Sequence, residues 1–156
     1  MSEKFQATVA GPGFRIGISC DEAEILKLKY LEPGPFIAPQ NALAAEAVRQ
    51  LDAYMNNPEA AFSLPLRPSG TIFQRRVWAQ IAKIPSHQTR TYGELAKALH
   101  NAPRAVGQAC GANPFPLVVP CHRVVAANGG LGGFARQRGG FLLDVKRWLL
   151  AHEGSY

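Results

Sequence analysis

The sequence predicts an α+β fold: a small amino-terminal β-meander plus helix domain over residues 1–63, packed on a mainly helical carboxy-terminal domain over residues 64–156 with a helix-turn-helix. Three observations predict it. Short β-prone runs, parted by glycine, proline and acidic turns, are confined to the first 31 residues. After residue 70 the pattern changes to capping boxes followed by apolar residues at helical spacing. Between the two, Pro58–Gly70 carries three prolines and a glycine, the composition of a linker. At 156 residues and 47% hydrophobic content the chain can bury a real core.

Taken in order, Phe5–Ala10, Phe14–Ser19 and Ile25–Leu31 read as strands, separated by Gly11-Pro12-Gly13 and by Asp21–Glu24. Asn41 caps a helix from Ala42 to Met55, whose Ala44, Ala47, Val48, Leu51, Tyr54 and Met55 recur at helical spacing. Thr71-Ile72-Phe73-Gln74 is a capping box, and Ile72, Phe73, Val77, Trp78 and Ile81 supply the stripe of a helix that Pro85 stops. Thr91-Tyr92-Gly93-Glu94 is a second capping box, opening a helix to about His100. Pro103 begins another helix at its first turn, running to Asn113. These two short helices form the helix-turn-helix. A last helix runs from about Phe141 to His152, with Leu142, Val145, Leu149 and Trp148 on its buried stripe.

Charge is divided unevenly. Residues 1–63 hold five Lys/Arg against eight Asp/Glu, whereas residues 64–156 hold twelve against three, a balance of +9. A half so one-sidedly basic points to a polyanion, nucleic acid first. The helix from Pro103 is nearly bare, with only Arg104 and Gln108 long and polar, too few side chains to read a base sequence. It suits close, sequence-tolerant approach, with Lys and Arg elsewhere supplying affinity. Cys20, Cys110 and Cys121 are widely spaced and odd in number, which argues for reduced thiols in a cytoplasmic setting. No apolar run reaches membrane-span length, and residues 1–20 lack a signal peptide's apolar block.

The chemistry concentrates at Pro120-Cys121-His122-Arg123-Val124-Val125, which closes a run stiffened by Pro114, Pro116 and Pro120. A residue before proline is pushed out of the helical region, so the segment is expected to be extended and not helical. A thiol beside an imidazole is a nucleophile with its base. In an extended chain neighbouring side chains point to opposite faces, so the pair needs a turn or a bridging water. The carboxylates available in the second half to orient the imidazole are Glu94, Asp144 and Glu153.

Pro120-Cys121-His122-Arg123-Val124, preceded by Asn113-Pro114-Phe115-Pro116, resembles the active-site signature of the O6-alkylguanine-DNA alkyltransferases, the methylated-DNA–protein-cysteine methyltransferases. The likeness extends through Gly70–Gln74, Val77-Trp78, Ile84-Pro85, Thr91–Ala96, Arg104–Gly107 and Trp148–Gly154, and so covers nearly all of residues 68–156. The resemblance implies that Cys121 accepts the alkyl group, that His122 is its base through a water, and that Glu153 orients the histidine. It makes Asn113 the hinge between recognition helix and active-site turn. It gives Tyr92 a hydrogen bond to the flipped guanine, and assigns Val124, Gly132, Phe134 and Ala135 to the base pocket. It places Arg104 as the finger filling the gap left by the extruded nucleotide, with Thr91, Ala105, Gly107 and Arg123 also at the DNA. The implied partner is double-stranded DNA bearing O6-alkylguanine, with O4-alkylthymine as a further substrate. The implied protein is a monomer in solution that can assemble cooperatively on DNA, cytoplasmic and nucleoid-associated in a bacterium. No cofactor is expected, and the zinc ligands of some relatives have no counterparts, so no metal either. An alkyltransferase-like lesion sensor, which binds without transfer, is the alternative; such relatives typically lack the cysteine. The sequence departs from the family in Arg136-Gln137-Arg138 before Gly139-Gly140, a longer loop from Ala135 to Gly140, with Ala135 where a serine is common.

Overall fold

The computed structural model describes residues 4–127, 130–131 and 140–155. They fall into two compact units, divided between Pro68 and Ser69.

In the first unit β1 (Ala7–Gly11), β2 (Phe14–Cys20) and β3 (Ile25–Leu31) form an antiparallel sheet in sequence order. The Pro12-Gly13 turn closes the first hairpin, with Gly11 opposite Phe14 and Gly13 at φ +81. Each outer strand is covered over part of its length, which shortens the open edges that would otherwise pair with another chain. Thr8 N donates to Ile37 O and Gln40 N to Gln6 O beside β1. Beside β3, Ile25 N donates to Pro65 O and Arg67 N to Ile25 O. Residues 64–68, which the sequence groups with the second domain, therefore lie along the first sheet. Helix α1 (Ala42–Asn56) starts where the Asn41 side chain accepts from Ala44 N at 2.8 Å, and it packs on β1 and β2. Ala44, Ala47, Leu51 and Tyr54 are buried, as are Ile16, Ile18, Ile25 and Leu28 of the sheet, in a core from which water is excluded.

The second unit is mainly helical. It runs through α2 (Ile72–Ala82), β4 (Arg90–Thr91), α3 (Tyr92–Ala98), α4 (Pro103–Gly111), a 3-10 turn (Cys121–Arg123), β5 (Val124–Val125) and α5 (Phe141–His152). Both capping boxes form as the sequence predicts, with Thr71 and Thr91 each accepting from the residue three ahead while Gln74 and Glu94 reach back. Gly70 has φ +88, and a Cβ there would lie 2.6 Å from Trp78 Cη2, so only glycine admits this approach. Trp78 in turn donates Nε1 to Ala109 O at 2.9 Å, fastening α2 to α4.

Two stripes differ from expectation. Ile72 is 83% exposed, because the first position of α2 precedes the buried line through Val77 and Ile81. On α5 the buried residues are Leu143, Val145, Lys146, Leu149 and Leu150, with Leu142 only half-buried and Trp148 stacked on His152. A lysine inside the apolar face disguised the period. Among the described residues no helix is long and apolar enough to cross a membrane.

Thr71→Ala removes one side of the α2 capping box and is expected to cost about 1 kcal/mol. Chemical denaturation followed by tryptophan fluorescence reads this directly, since both tryptophans, Trp78 and Trp148, lie in the second unit. An unchanged midpoint would contradict it.

Candidate active site

The site is built where four elements meet a single turn. Helix α4 ends at Gly111, and Asn113 follows immediately, its N–H bonded to Cys110 O at 3.2 Å. The Asn113 side chain donates through Nδ2 to Val119 O at 2.9 Å and to Cys121 Sγ at 3.2 Å, while its Oδ1 accepts from Phe115 N at 2.9 Å. Asn113 thus ties the end of α4 to the cysteine. Between them the chain doubles back: Val119 N bonds Phe115 O, and Leu117 is buried with φ +74. A branched side chain rarely adopts that conformation, so packing must hold it there.

The extended segment expected at Cys121 is instead a 3-10 turn over Cys121–Arg123, following Pro120 at ψ 66. Proline constrains the residues before it but not those after it, so a turn can begin directly past Pro120. The turn frees Cys121 and His122 from the strict alternation of a strand. Among the described residues no direct hydrogen bond joins them. Cys121 Sγ is held by Asn113, and His122 Nε2 meets Glu153 Oε2 at 2.8 Å with both side chains fully buried. A carboxylate partner fixes the proton on Nε2, leaving the Nδ1 lone pair as the basic position. Nδ1 is itself buried without a hydrogen-bond partner among the described residues.

Arg123, expected at the nucleic acid, turns inward instead. Its Nε and Nη2 donate to the two oxygens of Glu153 at 2.8 and 2.9 Å, and Nη1 donates to Ile84 O at 2.7 Å. Its planar fork matches a carboxylate, and Glu153 has the most deeply buried one in reach. Glu153 therefore serves two residues of the turn at once.

Tyr92 arrives by a second route. β4 and β5 pair in parallel, Arg90 with Val124 and Thr91 with Val125, so the first residue of α3 is carried to the cysteine turn. A Cβ on Gly107 would lie 4.0 Å from the Tyr92 ring, which shows how closely α4 approaches it. Thr91 is committed to capping α3. Arg104 and Ala105 lie on the first turn of α4, Arg104 exposed and Ala105 half-buried. Gly132, Phe134 and Ala135 lie outside the described residues, as does the distinctive loop up to Gly139.

Lys146 is a component that sequence reading missed. It is fully buried on α5, donates Nζ to Val124 O at 2.8 Å and to Leu131 O at 2.6 Å, and stands 5.9 Å from the Tyr92 ring centre. The only signal was a charge interrupting an apolar helix face. Cys110 is the other omission, the foremost influence on the Cys121 thiol.

These contacts set the protonation states. The neighbouring Cys110, then burial, push the Cys121 thiol well above its usual range, while Asn113 and Lys146 pull the other way. The resting sulfur is a thiol. Burial holds His122 below the usual histidine value despite Glu153, and Arg123 and Lys146 lower it further. The imidazole is therefore neutral and able to accept a proton. Burial lowers Lys146 to about 8. Tyr92 is raised far above the usual phenol range, first by burial and then by the neighbouring Cys110 and Cys121, so it stays a hydrogen-bond donor.

A buried neutral histidine gives a pH signature. Its folded pKa lies below the unfolded value near 6.5, so between the two the unfolded chain binds more protons. The stability it contributes is complete above about pH 6.5 and is lost as pH falls toward the folded value. Wild-type unfolding free energy should fall more steeply from about pH 7 to about pH 5.5 than that of His122→Asn. Equal slopes would show that His122 does not titrate this way.

Comparison with known proteins agrees with this arrangement. Residues 72–155 match the family described as 6-O-methylguanine DNA methyltransferase, DNA binding domain. A methylated-DNA–protein-cysteine methyltransferase of Methanosarcina acetivorans is 49% identical over 112 residues, 70% of this chain and 69% of that protein. The constitutive enzyme of that name in Bacillus subtilis is 43% identical over 108 residues, 66% of each chain. The matched stretch thus spans about two thirds of these relatives. A crystal structure of Mycobacterium tuberculosis OGT in complex with DNA superposes with a TM-score of 0.80 at 36% identity, over 95% of this chain and 91% of that one. With residues 72–155 matched and that fold shared, the chain belongs to the 6-O-methylguanine DNA methyltransferase family.

Proposed function

We propose that this protein repairs DNA by extruding O6-alkylguanine from the duplex and transferring the alkyl group irreversibly to Cys121. The observation that carries this reading is the buried constellation at the turn: a thiol positioned by Asn113, beside a neutral imidazole whose Nε2–H is held by Glu153. A target carbon on guanine O6 cannot be reached inside a stacked duplex, so the base must leave the helix.

In the proposed sequence His122 Nδ1 takes the Cys121 proton through a water, and Glu153 stabilises the imidazolium that forms. The thiolate attacks the alkyl carbon in line, the carbon–oxygen bond breaks, and its electron pair returns to the guanine. Tyr92, kept as a phenol, donates a hydrogen bond as the base departs. Val124 O already accepts from Lys146, and its second lone pair remains for the guanine amine. Lys146 adds a positive charge that favours the thiolate. The product is a thioether, which nothing in the site can cleave, so each molecule reacts once.

DNA binding is proposed along α3 and α4. Exposed Arg104 on the first turn of α4 fills the gap left by the extruded nucleotide, and Ala105 and Gly107 keep the helix slim enough to approach the backbone. The excess of +9 over residues 64–156 supplies a salt-dependent, sequence-independent affinity.

Mass spectrometry after mixing with duplex O6-methylguanine should show one methyl group on Cys121. Tight binding with unchanged mass would instead favour a lesion sensor. Cys121→Ala should abolish transfer while retaining duplex binding, and residual transfer would mean another acceptor. Arg104→Ala should slow repair in duplexes by about tenfold or more, given the few kcal/mol that extrusion costs, yet spare attack on free O6-benzylguanine. Equal slowing of both would exclude the finger role.

A further inference from the structure

One oxygen of Glu153 is shared. Oε2 meets His122 Nε2 at 2.8 Å and also accepts from Arg123 Nη2 at 2.9 Å, while Oε1 accepts from Arg123 Nε at 2.8 Å. The guanidinium spans both carboxylate oxygens and so fixes which of them faces the imidazole. A third bond, from Nη1 to Ile84 O at 2.7 Å, fixes the guanidinium itself just past the end of α2. The His122 and Glu153 side chains are wholly buried and that of Arg123 is 13% exposed, so water screens the three only weakly.

We infer that Arg123 is a positioning residue of the transfer site: its guanidinium limits the buried His122–Glu153 pair to one proton, on Nε2, and so keeps Nδ1 open to the proton of Cys121. A buried carboxylate without a cation would draw a further proton onto itself or onto the histidine it touches. Either placement closes Nδ1. On His122 the added proton makes both ring nitrogens donors; on Glu153 the carboxyl donates to Nε2 and the ring proton moves to Nδ1. A carboxylate that already faces a permanent guanidinium has no such need, and a further proton would bury uncompensated positive charge. The other cation acting on His122 is Lys146 of α5, whose sign opposes that proton too. The α2 segment, also packed on the turn, reaches the pair through the uncharged Ile84 carbonyl, and the adjoining Cys121 rests as a thiol. The inference rests on the alkyl-transfer reading, in which His122 is the base. It gives Arg123, expected at the nucleic acid, a task inside the protein instead.

The test follows transfer from free O6-benzylguanine across pH in the wild type, Arg123→Gln and Arg123→Lys, so that DNA binding plays no part. Arg123→Gln removes the charge, and its acid-side half-rate point should move to higher pH by about one unit or more. Arg123→Lys keeps a charge but not the fork, so its rate should fall while the half-rate point stays with the wild type. A slower Arg123→Gln with an unmoved half-rate point would reduce Arg123 to a structural prop and overturn the inference. A displaced half-rate point in Arg123→Lys would overturn it equally, whether or not Arg123→Gln folds. Nitrogen NMR of the histidine rings, without substrate, reads the pair directly: His122 Nδ1 should take up its proton at higher pH in Arg123→Gln than in the wild type. Affinity of Arg123→Gln for undamaged duplex should keep the wild-type dependence on salt; a slope lower by about one would return Arg123 to the phosphates. If the NMR shift appears but the wild type transfers nothing to Cys121, the repair reading fails and the hold of Arg123 on the pair stands.

Discussion

A carboxylate shut away from water must find its hydrogen bonds within the protein, and Glu153 finds them on a single turn some thirty residues earlier. Its position is awkward for a second reason: it caps the carboxy-terminal end of α5, where the helix dipole already concentrates negative charge. His122 and Arg123 together offset both costs. Leaving such a charge without its partners costs about 3–5 kcal/mol, so docking of α5 and formation of the cysteine turn are energetically one event. The 3-10 turn, the orientation of the imidazole and the inward swing of Arg123 all follow from satisfying that carboxylate.

The same economy governs the charges around the sulfur. Burial outweighs the pull of Glu153 and, with Arg123 and Lys146 acting in the same direction, leaves His122 neutral in the resting protein. Lys146, buried among apolar neighbours and resting on backbone carbonyls, contributes a positive field on the other side. The sulfur itself stays protonated until a base withdraws its proton, because Cys110 and burial oppose the thiolate. The site is thus quiet by default. A resting thiol is less exposed to indiscriminate alkylation than a permanent thiolate would be.

The fold was largely legible because its signals are local. Both capping boxes, the Asn41 cap and the glycine–proline turns are written in adjacent residues, and each formed at its place. Cys121, His122, Asn113 and Glu153 were identifiable as a set only through resemblance, since the last lies at the far end of the chain. What escaped had no local signature. Lys146 carries no local mark of its burial, which depends on α5 facing Val124 and Tyr92. Arg123 reads as a basic residue in a basic half until its carboxylate is located. Cys110 lies among small residues on a bare helix, and only the return of the chain through Leu117 brings Cys121 to it.

The two-residue ladder between β4 and β5 also bears on how this protein can vary. It pins Val124 and Val125 on one side, while Lys146 anchors Val124 and Leu131 from α5 on the other. The chain between Val125 and Phe141 therefore leaves and rejoins the domain at two fixed posts. Closing a loop costs free energy only as the logarithm of its length, so a few added residues there are thermodynamically cheap. Added residues can accumulate between the posts without moving the sulfur, the imidazole or the carboxylate. This stretch is where chains sharing one such turn have latitude to differ in length.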